Sequence, residues 1–206
     1  MTNAKKVILL VFLVLLLDQA LKIWVKTHFY IGQSIEITPW FHLLFVENNG
    51  MAFGMEFMGK LLLSIFRIVA IGFIGYYVYL LNKKQYRFGF ILAIALILAG
   101  AIGNVIDGAF YGMVFNSSEG QIATFLNHPE GQQSYSSFLH GKVVDMLYFP
   151  LIKNARGETL FFSPVFNIAD TAITVGAFLV LLFYRKELNE SLDSPKKKEI
   201  SAEDEK

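Results

Sequence analysis

Five short stretches set acids, amides and a lysine at spacings that could do chemistry: "DQALK" (18–22), "ENNGMAFG" (47–54), "GNVIDG" (103–108), "GKVVDMLYF" (141–149) and "FNIADTAI" (166–173). Asp18 and Lys22 are four residues apart, so on a helix they share one face as an ion pair. Asn104/Asp107 and Asn167/Asp170 both repeat the spacing N-x-x-D, which on a helix sets each amide beside its carboxylate. Asp170 has no cation one turn away on its own segment. It must find a partner elsewhere, and Asp145 is the candidate. Two carboxylates held close cannot both ionise; they share a proton and titrate as a pair. The ionised member can take a proton from water while the protonated one polarises a carbonyl, which is hydrolysis without metal or covalent intermediate.

Other chemistries are poorly supported. The chain has no cysteine, which removes disulfides and thiol nucleophiles. His28, His42, His128 and His140 are scattered and no HExxH motif is present, so a zinc site is not expected. Neither Ser137/Lys142 nor Ser163/Lys153 is selected by its spacing as a serine–lysine pair. No glycine-rich loop suited to phosphate occurs, and neither metal nor cofactor is expected. A net charge of +1 argues against nucleic acid as a partner. The remaining rival is an ion- or proton-coupled membrane carrier using intramembrane carboxylates as a relay. Clustering of the acids at one depth, rather than across the bilayer, disfavours it.

The elements that must position these groups are apolar. Of 206 residues 54% are hydrophobic and 17% charged, against about 25% charged in a soluble domain; mean hydropathy is +0.48. Stretches 7–24, 61–81, 88–106 and 164–184 each approach the ~20 residues that cross a bilayer as a helix. The first resembles a signal peptide, but "DQALKIW" follows it where small residues at a cleavage site belong, so it reads as a retained span. Segments 1–6, 82–88 and 185–206 hold 11 of the 18 lysines and arginines, whereas loops 25–60 and 108–163 hold five. The positive-inside rule then puts both termini in the cytoplasm and those two loops outside. Asp18, Lys22, Arg67, Asn104, Asp107, Asn167 and Asp170 all fall near the outer ends of the spans. A charge at the centre of a span costs about 2.5–3.5 kcal/mol, so these residues are expected to face one another inside the bundle.

The first outer loop reads as strands with a hairpin turn at Asn49–Gly50, and Trp40, Phe41, Phe45 and Phe53 are suited to lipid headgroups. Residues 116–137 are polar and rich in turn formers; a mobile surface loop dispensable for chemistry is expected there. "FLHGKVVDMLYFPLI" suggests a strand or interfacial segment. The domain limits are a membrane domain over 1–186, with outer loops 25–60 and 107–163, and a charged disordered tail over 187–206. The fold class expected is an all-α membrane protein, a four-transmembrane-helix bundle with a small extracytoplasmic β-rich cradle.

In order, the five stretches resemble the signature blocks of lipoprotein signal peptidase (signal peptidase II), over about residues 5–185. The resemblance implies a four-span aspartic endopeptidase of the bacterial plasma (inner) membrane. Such an enzyme cleaves the signal peptide from prolipoproteins just before the diacylglyceryl-cysteine. Its partners would be lipid-modified prolipoprotein signal peptides and membrane lipid. Carried over block by block, the catalytic aspartates are Asp145 and Asp170, with support from Asp18, Lys22, Asn48, Gly50, Asn104, Asp107 and Asn167. Two departures stand out: Gly108 occupies the position where the family usually has arginine, and 116–137 looks like an insertion.

Overall fold

The computed structural model describes residues 1–49, 59–125, 133–153, 159–161 and 164–193. Helix α1 (Asn3–His28) leads into strands β1 (Ser34–Thr38) and β2 (Phe41–Asn48). Helices α2 (Lys60–Lys83) and α3 (Phe88–Ile106) follow. The end of α3 runs on through a π-helical turn (Asp107–Tyr111) into the short α4 (Gly112–Val114). Strands β3 (Val143–Tyr148), β4 (Ile152–Lys153), β5 (Thr159–Phe161) and β6 (Val165–Phe166) precede α5 (Ile168–Phe183) and α6 (Arg185–Leu192). Among the described residues three helices are long and apolar enough to cross a membrane, or four if α5 and α6, bent 89° apart, count as one span. Large apolar side chains such as Phe12, Leu17, Phe66, Phe73 and Leu182 point outward from these helices, as contact with lipid requires.

Several expected boundaries move. The fourth apolar stretch, expected as a span from 164, becomes helical only at Ile168, because Val165 and Phe166 pair with β3 and Asn167 caps the helix. Asp170 therefore lies in the first turn of its helix. The tail, expected to be disordered from Glu187, is helical to Leu192; residues 194–206 lie outside those described. The β1–β2 hairpin turns at Pro39–Trp40, with Thr38 opposite Phe41, while the turn expected at Asn49–Gly50 reaches outside the described residues. Phe45 is fully buried rather than interfacial, while Trp40 is exposed as expected; Phe53 lies outside the described residues.

The antiparallel sheet, in order β1-β2-β3-β6, sits at the end of the bundle where α1 finishes and α2 and α5 begin. Asn48 pairs with Val143 and Val46 with Asp145, and Leu147 pairs with Phe166. One sheet thus carries Asp145 on β3 and delivers the chain, through β6, to the helix that bears Asp170. Two apolar clusters enclose a polar layer. Val7, Leu81, Phe90 and Val180 pack among the helices, and Val25, Phe45, Phe115, Val144 and Met146 pack under the sheet.

Part of the polar stretch 116–137 is buried where it is described. Phe115, Asn116, Ser118 and Ala123 are buried, and Phe115 bridges to Phe125. Most of the other described residues of 116–137 are exposed or half-buried, as a surface loop should be, but Ser118 is tied to Glu47 of β2.

Helices α3 and α5 approach closely through small residues, as membrane helices do where packing alone must join them. A Cβ on Gly100 would collide with the Ala169 carbonyl oxygen. One on Gly103 would lie 2.8 Å from Asp18 Oδ2. Gly100→Ala is therefore expected to cost about 1–3 kcal/mol through overpacking against backbone. Gly72→Ala, which meets open space, should be neutral or slightly stabilising. Thermal unfolding in detergent micelles measures both, and a Gly100→Ala protein that melts with the parent would contradict this α3–α5 contact.

Candidate active site

Lys22 is fully buried, and its ammonium meets three oxygens: Asp107 Oδ2 at 2.8 Å, Asp18 Oδ2 at 2.9 Å and Asn104 Oδ1 at 3.0 Å. The expected Asp18–Lys22 pair is thus a triad that also takes in the carboxylate of the third helix. Three acceptors match the three N–H bonds of an ammonium, the condition for tolerating such burial. Each carboxylate uses a further oxygen contact to hold backbone. Asp18 Oδ1 accepts the N–H of Ala169 at 2.9 Å, one of the unpaired donors of α5's first turn. Asp107 Oδ2 also accepts the N–H of Val144 at 3.2 Å. Those two N–H groups immediately precede Asp170 and Asp145.

Asn167 joins the two aspartates. Its side-chain oxygen accepts the Asp170 N–H at 2.8 Å, and Asp170 Oδ2 accepts the Asn167 N–H at 3.3 Å, a capping box at the start of α5. The same side chain's amide donates to Asp145 Oδ1 at 2.7 Å, with further contacts to Asn104 Oδ1 at 3.1 Å and the Val144 carbonyl at 3.3 Å. Asn104 in turn donates to Asp170 Oδ1 at 2.8 Å. Asn48 donates to Asp145 Oδ2 at 3.3 Å. Burial, then the neighbouring Asp170 charge, pushes Asp145 up to about 7. The geometry is that of paired carboxylates steered by amides.

The site residues read from sequence largely converge. Asp18, Lys22, Asn48, Asn104, Asp107, Asp145, Asn167 and Asp170 form one connected network; Gly50 lies outside the described residues. The N-x-x-D readings need refinement, since Asn104 serves Asp170 across helices rather than Asp107 on its own. Position 108 is open, since a Cβ added to Gly108 would meet nothing within 4 Å. Arg67 of α2 is a cation whose charge reaches Asp170. Ser137 contacts His140 Nδ1 at 3.1 Å while Lys142 binds Glu47, so the serine–lysine pairing does not form; Ser163 and His128 lie outside the described residues. Among the described residues no group of three or more acidic or histidine side chains could hold a metal ion.

Sequence reasoning missed Gln19. Its amide contacts Asp18 Oδ2, Asp107 Oδ1 and the Gly103 carbonyl at 2.9–3.2 Å, and its oxygen accepts from Tyr111 at 3.1 Å. Its signal was its place beside Asp18 in an otherwise apolar stretch. Lys26, Glu47 and Ser118 were missed too, because each lies outside the matched blocks or beside a more conspicuous neighbour.

The family described as signal peptidase (SPase) II matches residues 10–185. The chain is similar to the lipoprotein signal peptidase of Porphyromonas gingivalis strain ATCC 33277, 46% identical over 204 residues, covering 94% of this chain and 89% of the relative. The lipoprotein signal peptidase of Amoebophilus asiaticus is 33% identical, covering 92% and 81%. Among solved structures, a bacterial membrane enzyme determined by the in meso method at 1.9 Å superposes with a TM-score of 0.60 at 27% identity, covering 86% of this chain and 91% of that one.

Removing the ammonium would strand two buried carboxylates. Lys22→Met is expected to destabilise the protein by about 3–5 kcal/mol, the cost of breaking a buried pair. Reversible unfolding in mixed micelles reads this directly. Full retention of stability would show that Lys22 does not hold the network together.

Proposed function

From the premise that the chain belongs to the signal peptidase II family, we propose that Asp145 and Asp170 are the catalytic pair of this membrane aspartic peptidase. The enzyme cleaves signal peptides from prolipoproteins. The carrier alternative finds no support in the relatives. The observation that carries the residue assignment is Asn167, whose one side chain bonds Asp145 and caps the helix turn bearing Asp170. Asp145, pushed up to about 7 by burial and then by the neighbouring Asp170, is the member that carries the proton. Asp170 takes a proton from the attacking water as Asp145 donates to the scissile carbonyl; collapse of the tetrahedral intermediate returns a proton to the leaving amine. Asn48, Asn104 and Asn167 fix the carboxyl orientations, and Lys22, Asp18 and Asp107 hold the backbone on which they stand.

The finer topology belongs to the same proposal. Counting α5 with α6 gives four spans, and the lysine and arginine bias puts both termini in the cytoplasm with the sheet on the outer side of the plasma membrane. Asp170, in the first turn of α5, would then lie at the bilayer's outer edge, where a substrate's apolar helix ends and its bond before the diacylglyceryl-cysteine emerges. Reporter fusions at the two ends check the orientation; an external C-terminus would overturn it.

Asp145→Asn and Asp170→Asn should each abolish cleavage of a diacylglyceryl-modified precursor while leaving folding nearly intact, because asparagine keeps the shape but moves no catalytic proton. A folded variant cleaving within about tenfold of the parent would sink the assignment, since loss of a general acid or base usually costs at least about 10²-fold. The pH profile has a definite sign. A raised Asp145 is protonated below about 7 and ionised above it, so activity should fall as pH rises through that value. Purified enzyme in micelles, assayed from acid to mildly alkaline pH, gives the limb.

A further inference from the structure

A second buried ion cluster lies one helical turn beyond Lys22. Lys26 is fully buried; its ammonium donates to Glu47 and to Ser118 Oγ at 2.9 Å, and it faces the rings of Phe115 and Tyr135 at 5.3 and 5.0 Å. Ser118 Oγ donates to Glu47 Oε1 at 2.8 Å, and Lys142 Nζ reaches Glu47 Oε2 at 3.3 Å. Burial would raise the Glu47 carboxyl, but Lys26, Ser118 and Lys142 outweigh it and hold it below the usual range. The inserted loop supplies much of this cluster. Its first arm closes on itself where Asn116 Oδ1 accepts the Thr124 N–H at 2.8 Å. Its second arm presents the Tyr135 hydroxyl, which accepts the Lys142 N–H at 2.9 Å.

The placement of this cluster is informative. Glu47 stands between Val46, paired with Asp145, and Asn48, which donates to Asp145. Lys142 immediately precedes Val143, the partner of Asn48. The loop therefore grips β2 and β3 at the residues next to the Asp145 contacts. The Asn48–Asp145 bond is long at 3.3 Å, so a small slip of either strand would lose it.

We propose that the two loop arms, Phe115–Ser118 and Tyr135–Lys142, form a clamp closed by Lys26, Glu47 and Lys142 that holds Asn48 against Asp145 and so positions Asp145 for proton transfer. Glu47 and Ser118 are its positioning residues. This reverses the expectation that the insertion is dispensable, and it rests on the aspartate-pair reading above. A merely structural role would lower stability and leave turnover of the folded enzyme alone; a positioning role must lower kcat.

The test uses full-length enzyme in micelles, well below its melting temperature, with Glu47→Gln, Ser118→Ala and Ser118→Thr. Hydrogen exchange at residues 143–148 should quicken about tenfold in Glu47→Gln and Ser118→Ala, reporting a loosened strand. In the same variants kcat on a diacylglyceryl-modified precursor should fall about tenfold with KM within about twofold, and Ser118→Thr, keeping the hydroxyl, should recover most of it. Unchanged exchange in both variants overturns the clamp. So does faster exchange with kcat held near the parent value. A parent enzyme that cleaves nothing would instead refute the peptidase reading, and the clamp would then be judged on exchange alone.

Discussion

A single buried ammonium organises this protein. Lys22 could not remain charged in the bundle interior without full compensation, since the desolvation cost of an ion exceeds what one partner returns. Its compensation comes from two helices, from Asp18 on α1 and from Asn104 and Asp107 at the end of α3, and Asp18 in turn binds the first turn of α5. The charge requirement of one side chain therefore sets how three membrane helices meet. It also sets the chemistry, because the same two carboxylates hold the N–H groups that precede Asp145 and Asp170.

The site is built where apolar packing stops. Below it the helices approach through Gly100 and Gly103, close enough that a methyl group would collide with Ala169 or Asp18. Above it the sheet covers Phe45, Val144 and Met146. Between these layers Asp18, Lys22, Asp107, Asp145 and Asn167 are buried, and each is bonded to a protein partner. That burial pushes Asp145 up to about 7 and lets one member of an acid pair keep its proton near neutrality.

Asn167 shows how local and tertiary demands coincide. A helix beginning at Ile168 needs a side chain to cap its first turn, and Asn167 supplies the oxygen for that. Its other end, the amide, is free to donate to Asp145 on a strand. Position 167 can do both because β6 pairs with β3 just before it, which brings the cap of the last helix beside the aspartate of the sheet.

Much of this was legible in the order of residues. Long apolar runs require helices, because lipid leaves no other partner for backbone groups. Polar and charged residues at corresponding ends of those runs are expected to face inward, which singles out Asp18, Lys22, Arg67, Asn104, Asp107, Asn167 and Asp170 from the sequence alone. Spacing could not say which helix each residue would face. Asn104 is three residues from Asp107 yet serves Asp170 on another helix, and Phe45 looks interfacial yet is buried. The start of α5 was also hidden: Val165 and Phe166 are as apolar as the helix that follows, and only pairing with β3 makes them a strand. Gln19, Lys26, Glu47 and Ser118 escaped for the same reason. Periodicity reports the face of one element, whereas the partner of a buried polar group is chosen by whichever distant segment the fold brings within hydrogen-bond reach.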